Sequence, residues 1–181
     1  MVTDSDGAGR PAAGRRARRA PLYTQEERRR RDASPWTLVQ GVLAPAQFLV
    51  FLVSLALVLR FLATGEGAAA ATVSVVVKTL ALYAIMVTGC IWEKDVFGVY
   101  LFARPFWWED VFSMAVLALH TAYLVALVTG ALDIRAQMLL ALAAYAAYVI
   151  NAGQFVLKLR AARLDRGEFP LERPVAGSTS A

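Results

Sequence analysis

The 181-residue sequence contains only one cysteine and one histidine. A single cysteine, Cys90, excludes an intrachain disulfide and a zinc site built from thiolates. A single histidine, His120, excludes ligation of haem by two histidines of one chain. Nucleotide-binding, phosphate-binding and serine-hydrolase motifs are also missing. We therefore expect no cofactor and no metal of the protein's own, which leaves acid–base chemistry or binding.

Charged residues are scarce as well. They make up 18% of the chain, whereas hydrophobic residues reach 58% and the mean hydropathy is +0.50. Soluble domains average about 45–50% apolar residues, and a membrane-spanning helix needs about 20 apolar residues in a row. We predict an all-α, polytopic membrane protein with four transmembrane helices, at about residues 36–62, 68–91, 109–129 and 136–157.

Arginine is concentrated before the first apolar run and after the fourth. The polar, aperiodic segments 1–32 and 165–181 are predicted to be disordered, on either side of a transmembrane domain at 33–164. The turns at 64–67 and 132–134 lack lysine and arginine. The positive-inside rule then predicts that both termini and the connector between the second and third spans are cytoplasmic. The net charge of +5 thus indicates anionic lipid, and not nucleic acid, as a partner.

Polar side chains occur within the first two spans. Trp36, Gln40 and Gln47 lie at helical spacing along one side of the first span, where Pro45 is expected to kink or interrupt the helix. This stripe fits either interhelical hydrogen bonds or the polar wall of a substrate cavity. Lys78 lies inside the second span, where a cation either points at a partner or at water, or extends to the membrane surface.

The connector at residues 92–110 carries four carboxylates, two cations and three tryptophans between two apolar runs. Carboxylates beside an apolar cavity can act as acids and bases. An apolar setting disfavours the charged form of Glu93, which makes it a candidate general acid. Asp95 fits a solvated helix end. Glu109 and Asp110 fit either catalysis or stabilisation of a helix N-terminus.

The single histidine lies in the third predicted span. Glu109, Ser113, Val116 and His120 are three or four residues apart and therefore share one face of a helix. Glu109 and His120 are about 16 Å apart along the axis and cannot touch. We expect the Asp110 side chain to point away from this face, and we rank it below Glu93 and Glu109 as a catalytic candidate. His120 fits an interhelical hydrogen bond, an axial ligand to a pigment metal, or a general acid or base.

The predicted topology brings most of these polar and aromatic residues to one membrane face. Tryptophans there are typical of the membrane–water interface, or alternatively stack on a flat ligand. This face suits a flat, amphiphilic substrate that partitions into the bilayer. The candidate catalytic residues are Glu93, Glu109, Asp110 and His120, and the candidate substrate-binding residues are Trp36, Gln40, Trp92, Trp107, Trp108, Asn151 and Gln154.

Several strings of the sequence also carry a family resemblance. They are ASPWTLVQG at 33–41, WEK at 92–94 with FG at 97–98, LFA at 101–103, WEDVFS at 108–113 and HTAY at 120–123. In these strings, and in their order between Tyr23 and Leu164, the chain resembles the 3-vinyl bacteriochlorophyllide hydratases. The resemblance implies a carbon–oxygen lyase of bacteriochlorophyll biosynthesis. Such an enzyme adds water to the 3-vinyl group of chlorophyllide a or a related chlorin and gives the 3-(1-hydroxyethyl) product.

The resemblance also implies a location and partners. The location is the bacterial inner, intracytoplasmic photosynthetic membrane, which the chain would cross several times. The partners are chlorophyllide or bacteriochlorophyllide and the lipid bilayer, with other pigment-biosynthesis enzymes or a second copy as further candidates.

Vinyl hydration requires a proton on the terminal carbon and water on the inner carbon. The intermediate cation is conjugated with the macrocycle, so one carboxylic acid and one carboxylate suffice. The magnesium belongs to the substrate, and His120 is a possible axial ligand to it. The alternative function is a non-catalytic pigment carrier or an assembly factor for photosynthetic complexes. A carrier would need the aromatic residues and His120, but no proton-competent pair of carboxylates.

Overall fold

The computed structural model describes residues 22–167, and the side chains of residues 22–160. This part of the chain forms helices and no strands. The helices are α1 (Gln25–Ala33), α2 (Pro35–Thr64), α3 (Ala68–Phe97), α4 (Trp107–Thr129) and α5 (Ile134–Gly167). Four of them, α2 to α5, are long and apolar enough to cross a membrane. The predicted all-α protein with four transmembrane helices is therefore confirmed.

Local sequence explains where these helices begin and end. α1 starts with a capping box, in which the side chains of Thr24 and Glu27 each accept a hydrogen bond from the other residue's backbone. Pro35 occupies the first turn of α2, where its missing N–H is not needed. α3 ends at Gly98, whose φ of 80° is the left-handed conformation that glycine adopts most readily. Lys94 donates to the Gly98 carbonyl over 2.8 Å and completes this cap.

The four spans pack as two helical hairpins around one core. α2 lies against α3, α4 lies against α5, and α5 also contacts α2. Large apolar side chains on the outer faces, such as Leu38, Val128 and Leu157, stay exposed, as expected where lipid replaces water. The buried core residues are Phe51, Val58, Phe61, Ala71, Val75, Leu82, Val116, Tyr123, Met138, Ala141, Tyr145 and Tyr148.

A second apolar cluster lies at one end of the bundle. We call this end, where α3 leads into α4 through residues 98–106, the connector end. Tyr23, Val96 and Phe106 are buried there. Partly buried Leu22, Trp92, Phe97 and Phe155 pack against them. This cluster fixes α1 and the connector against α3 and α5.

Several predicted boundaries are wrong. Residues 25–32 were predicted to be disordered but belong to α1, because the capping box and an Arg30–Glu26 ion pair support one short helix. The predicted connector at 92–110 shrinks to 98–106, since α3 continues to Phe97 and α4 begins at Trp107. α5 continues to Gly167, beyond the predicted end at 157 and into the predicted tail. Residues 1–21 and 168–181 lie outside the described residues.

Pro45 was expected either to kink or to interrupt the first span, and the interruption is absent. α2 is helical on both sides of Pro45. The predicted polar stripe of this helix lies between helices: Gln40 Nε2 donates to Thr88 Oγ1 of α3 over 2.7 Å, and Gln47 is buried. These contacts favour the interhelical interpretation of the stripe.

Candidate active site

Two carboxyl groups meet at the connector end. Glu93 lies in the last turns of α3 and Asp110 in the first turn of α4, so the short connector returns them to the same depth. Their exposed fractions are only 6% and 5%. Each carboxyl group accepts a hydrogen bond from one of two consecutive backbone amides of the connector, which places the two side chains next to each other. We call them the acid pair.

The backbone of the connector holds both members of the acid pair. The Phe102 N–H donates to Asp110 Oδ2 over 2.8 Å. The next N–H, that of Ala103, donates to Glu93 Oε2 over 3.2 Å. Phe102 has a φ of 61°, the only positive value at a non-glycine residue of the described chain. Consecutive N–H groups that converge in this way form an anion-binding concavity, so the strained turn is tied directly to the two acids.

This geometry suits general acid–base chemistry. Two carboxylates in contact repel each other, so a shared proton is favoured, with one member neutral and the other charged. The two backbone donors stabilise the remaining negative charge. One group of the pair can then donate a proton while the other accepts one.

Glu109 has a different environment, although it is adjacent in sequence to Asp110. Its Oε2 accepts a hydrogen bond from Lys158 Nζ of α5 over 2.6 Å. One turn further along α4, Ser113 Oγ accepts from Asn151 Nδ2 over 2.8 Å. Both contacts join α4 to α5. Glu109 is thus already bound to a side chain of α5, which suits positioning better than proton donation.

A cluster of aromatic rings packs together at the connector end, on the side of α1 and α5. Trp92 Nε1 donates to Thr37 Oγ1 over 2.9 Å, which fixes the indole between α2 and α3. The centroid of the Trp92 ring lies 5.8 Å from those of Phe97 and Phe106. Phe106 in turn stacks on Phe155 at 6.0 Å. This cluster gives the acids the apolar surroundings that the sequence predicted for Glu93.

A second group of aromatic side chains is exposed next to the acid pair. We call Tyr100, Phe102, Trp107 and Trp108 the aromatic edge. Trp108 is 65% exposed and Trp107 is 45% exposed. The two indoles meet edge to face at 4.8 Å, and the Phe102 ring lies 6.3 Å from that of Trp107. The edge is continuous with the connector that holds the acids.

The remaining predicted site residues are spread over other places. Trp36 is half-buried on α2, and Gln40 is bound to α3 as described above. Gln154 Oε1 is buried and has no hydrogen-bond partner among the described side chains. His120 is completely buried, and its Nδ1 bonds the Val116 carbonyl over 2.8 Å. Ten residues of α4 separate His120 from Asp110, about 15 Å along the axis, so the histidine forms a separate layer of the bundle.

Sequence reasoning placed the acids at one membrane face but did not identify their pairing. Asp110 points away from the face of α4 that carries Glu109, as the sequence indicated, and this direction is what brings it to Glu93. The hydrogen bonds from the Phe102 and Ala103 amides were not predicted, because no local sequence pattern indicates that a phenylalanine adopts the left-handed conformation. Lys158 was also missed as a partner. The sequence did offer a sign of this pairing, because Lys158 is opposite in charge to Glu109 and lies at the same predicted end of the bundle.

Comparison with known proteins gives one consistent family. Residues 23–161 match the family model described as 2-vinyl bacteriochlorophyllide hydratase. A protein of that name from Rhodobacter capsulatus is 67% identical over 160 residues, which cover 86% of this chain and 93% of the relative. Its counterpart from Cereibacter sphaeroides is 70% identical over 144 residues, which cover 80% of this chain and 89% of the relative. No solved structure matches the chain.

These matches confirm the family that the sequence motifs indicated, under a name that numbers the vinyl group 2 instead of 3. The match to the family model extends from Tyr23, the residue before the capping box of α1, to residue 161 in α5. The chain therefore belongs to the 2-vinyl bacteriochlorophyllide hydratase family.

Proposed function

We propose that this protein adds water to the vinyl group of a chlorophyllide or bacteriochlorophyllide, with the acid pair Glu93–Asp110 supplying both the acid and the base. The observation that carries this proposal is a buried pair of carboxyl groups held by two consecutive backbone amides. The family supplies the reaction class, and the pair supplies the proton chemistry that this class needs.

The acid pair and one water molecule account for every proton and bond of the proposed reaction. The neutral carboxyl of the pair donates its proton to the terminal vinyl carbon, and the π electrons form the new C–H bond. The inner carbon becomes a cation that the macrocycle delocalises. The oxygen of a water molecule bonds to this carbon, and the water loses a proton to the carboxylate of the pair. One water is added, and the pair ends with the single proton it began with.

The roles of acid and base belong to the pair as a unit, because two strongly coupled carboxyl groups share their protonation states. The carboxylate also stabilises the cation electrostatically while the bond to oxygen forms. Glu109, already paired with Lys158, orients the first turn of α4 without taking part in proton transfer.

The aromatic edge is the proposed docking surface for the macrocycle. Trp107 and Trp108 are exposed beside the connector, and flat aromatic side chains provide large contact areas at low entropic cost. A chlorin that lies against this edge in the membrane interface can direct its vinyl group under the connector toward the acids. The magnesium ion arrives as part of the substrate. Trp36 and Gln40 lie on α2 and do not belong to this surface.

The proposed location follows from charge. Arg28, Arg29 and Arg30 of α1 lie at the connector end, whereas the turn at Gly65 carries no basic residue. By the positive-inside rule, the acid pair faces the cytoplasmic side of a bacterial inner membrane. Other enzymes of pigment biosynthesis or a second copy of the chain remain candidate partners at this face.

The function is tested with membranes that contain the wild-type protein. After incubation with chlorophyllide a, the product should gain the mass of one water, and membranes prepared without the protein should leave the substrate unchanged. Tight binding of the pigment without any gain of water would refute the hydratase and favour a pigment carrier.

A further inference from the structure

Lys78 is the eleventh of the 30 residues of the membrane-spanning helix α3 and is completely buried. Its ammonium group does not extend to the membrane surface. Nζ lies 3.8 Å from the centroid of the Tyr148 ring on α5, and it has no hydrogen-bond partner among the described side chains. A cation inside a membrane is costly unless it is solvated or paired, so an ionisable group at this place indicates a binding function.

His120 of α4 presents a complementary atom at the same depth. A backbone carbonyl only accepts hydrogen bonds, so Nδ1 donates to Val116 and, in the neutral ring, Nε2 carries the lone pair. Nε2 is buried and has no partner among residues 22–160. The His120 ring lies 5.9 Å from the Tyr145 ring, and Tyr145 is about one turn of α5 before Tyr148, on whose ring Lys78 Nζ lies. The interior thus holds one unused donor and one unused acceptor close together.

We propose that Lys78 Nζ and His120 Nε2 bind a water molecule between them. The water accepts a hydrogen bond from the lysine and donates one to the lone pair of the histidine. Buried waters typically make about three hydrogen bonds to polar groups that lack protein partners. A carboxylate or another anion suits the pair less well, because the lone pair on Nε2 would repel it.

The water site is the inner end of a polar seam between α4 and α5. From Tyr148, the residues Asn151, Gln154 and Lys158 follow along α5 at steps of three or four, about 5 Å each. Asn151 Oδ1 and Gln154 Oε1 are buried without partners, and Asn151 also donates to Ser113 of α4. Among the described side chains, seven buried polar atoms lack a partner, and four of them belong to Lys78, His120, Asn151 and Gln154.

The seam leads to the Glu109–Lys158 ion pair, one residue from the acid pair. It can therefore bring water to the acids from inside the bundle while a macrocycle covers the aromatic edge. This last step rests on the proposed function, whereas the water site between Lys78 and His120 does not.

The water site is tested by hydroxyl-radical footprinting of the full chain in lipid nanodiscs, with radicals generated from ¹⁸O-labelled water. Hydroxyl radicals that form from a bound water oxidise the side chains next to it even when these are buried. We expect ¹⁸O incorporation at Tyr145 and Tyr148 several times above that at Phe61, which is buried to a similar degree in the same core but lies in the last turn of α2, next to Gly65 and away from the seam. Equal incorporation at the three rings would overturn the proposal.

A variant of Lys78 tests whether this side chain binds the water. Lys78→Met keeps the length of the side chain without its donor, and it should reduce the labelling of Tyr148 to the level of Phe61. Unchanged labelling would show that Lys78 does not hold the water. If this variant does not fold, the comparison of rings in the wild-type protein still decides the question. None of these measurements uses hydratase activity, so they can fail while the acid pair stands, and the reverse also holds.

Delivery of water is tested with Asn151→Leu, which fills the seam with an apolar side chain of similar size. Pigment binding should persist while turnover falls about tenfold or more, the lower part of the usual range for a lost catalytic contribution. Unchanged turnover would overturn delivery through the seam.

Discussion

The carboxylates that the sequence places near the connector end have different surroundings in the folded protein. Glu93 and Asp110 are buried against each other and against backbone amides. Glu109 is buried but paired with Lys158. Asp95 is exposed at the surface of α3. Residues of the same chemical type therefore have separate roles, and only the first two form an arrangement that can exchange a proton.

The Glu109–Lys158 ion pair is expected to stabilise the bundle. Lys158→Met leaves a buried carboxylate without its partner and should lower the free energy of unfolding by about 2 kcal/mol, the usual scale for a hydrogen bond to a charged group. The double variant Glu109→Gln/Lys158→Met should lose less than the sum of the single changes, because it leaves no unpaired charge. Denaturant unfolding in detergent micelles measures both values. Additive losses would show that the two side chains are not coupled.

Two roles are alternatives for Nε2 of His120: it binds the buried water, or it is the axial ligand of the substrate's magnesium. The enclosed ring lies about 15 Å along α4 from Asp110, which is too far for one chlorin to place its vinyl group at the acids and its magnesium on His120. We expect His120→Ala to leave the absorption maximum of bound chlorophyllide unchanged. A shifted maximum, with the protein still folded, would identify His120 as the axial ligand of magnesium and would relocate the substrate.

At the scale of elements, the connector 98–106 determines the site. α3 and α4 carry the two acids, but the turn at Phe102 supplies the amides that hold them. A left-handed conformation costs a residue with a side chain about 1–2 kcal/mol. The buried carboxyl groups that accept these hydrogen bonds offset that cost.

The strain at Phe102 can be measured with a matched pair of variants. Phe102→Gly and Phe102→Ala lose the same ring contact with Trp107, and both keep the N–H that binds Asp110. Only glycine relieves the positive φ, so the glycine variant should be more stable than the alanine variant by about 1 kcal/mol. Equal unfolding free energies in detergent would mean that the turn at residue 102 is not strained.

At the scale of the whole molecule, the arrangement implies an orientation in the membrane. The basic residues of α1 and the acid pair share one end of the bundle, so both should face the cytoplasm. Topology reporters fused at Gly65 and Asp133 should give an external signal, and fusions at Gly98 and Ala181 an internal one. An external signal at Gly98 would place the acid pair on the opposite side of the membrane.

Much of this architecture could be predicted from the sequence. The length of the apolar runs fixes four spans, and the short turns at Gly65 and Gly130 make antiparallel neighbours of α2 with α3 and of α4 with α5. The chemical character of the connector end also follows from composition, because aromatic and acidic residues cluster between two spans. These properties depend on local patterns, which the sequence records directly.

The pairing within the site depends on three-dimensional contacts and could not be predicted in the same way. The sequence indicated that Asp110 points away from the Glu109–His120 face, but not that Glu93 lies on that side. Lys78 fitted either snorkelling or a partner, and only the packing of α5 places it on the Tyr148 ring. α1 was missed because a nine-residue segment with eight polar residues resembles a disordered one until Tyr23 packs on the connector end.

The central claim is that Glu93 and Asp110 perform the proton transfers, and single-turnover kinetics with bound chlorophyllide test it most directly. Glu93→Gln and Asp110→Asn keep the size of each side chain but remove its proton chemistry, and Asp95→Asn is the matched control at an exposed acid of the same helix end. The measurement follows the gain of one ¹⁸O-labelled water by the pigment. We expect both pair variants to bind pigment normally and to react about a hundred- to ten-thousand-fold more slowly, with the control at the wild-type rate. Near-normal rates in both pair variants would contradict the account.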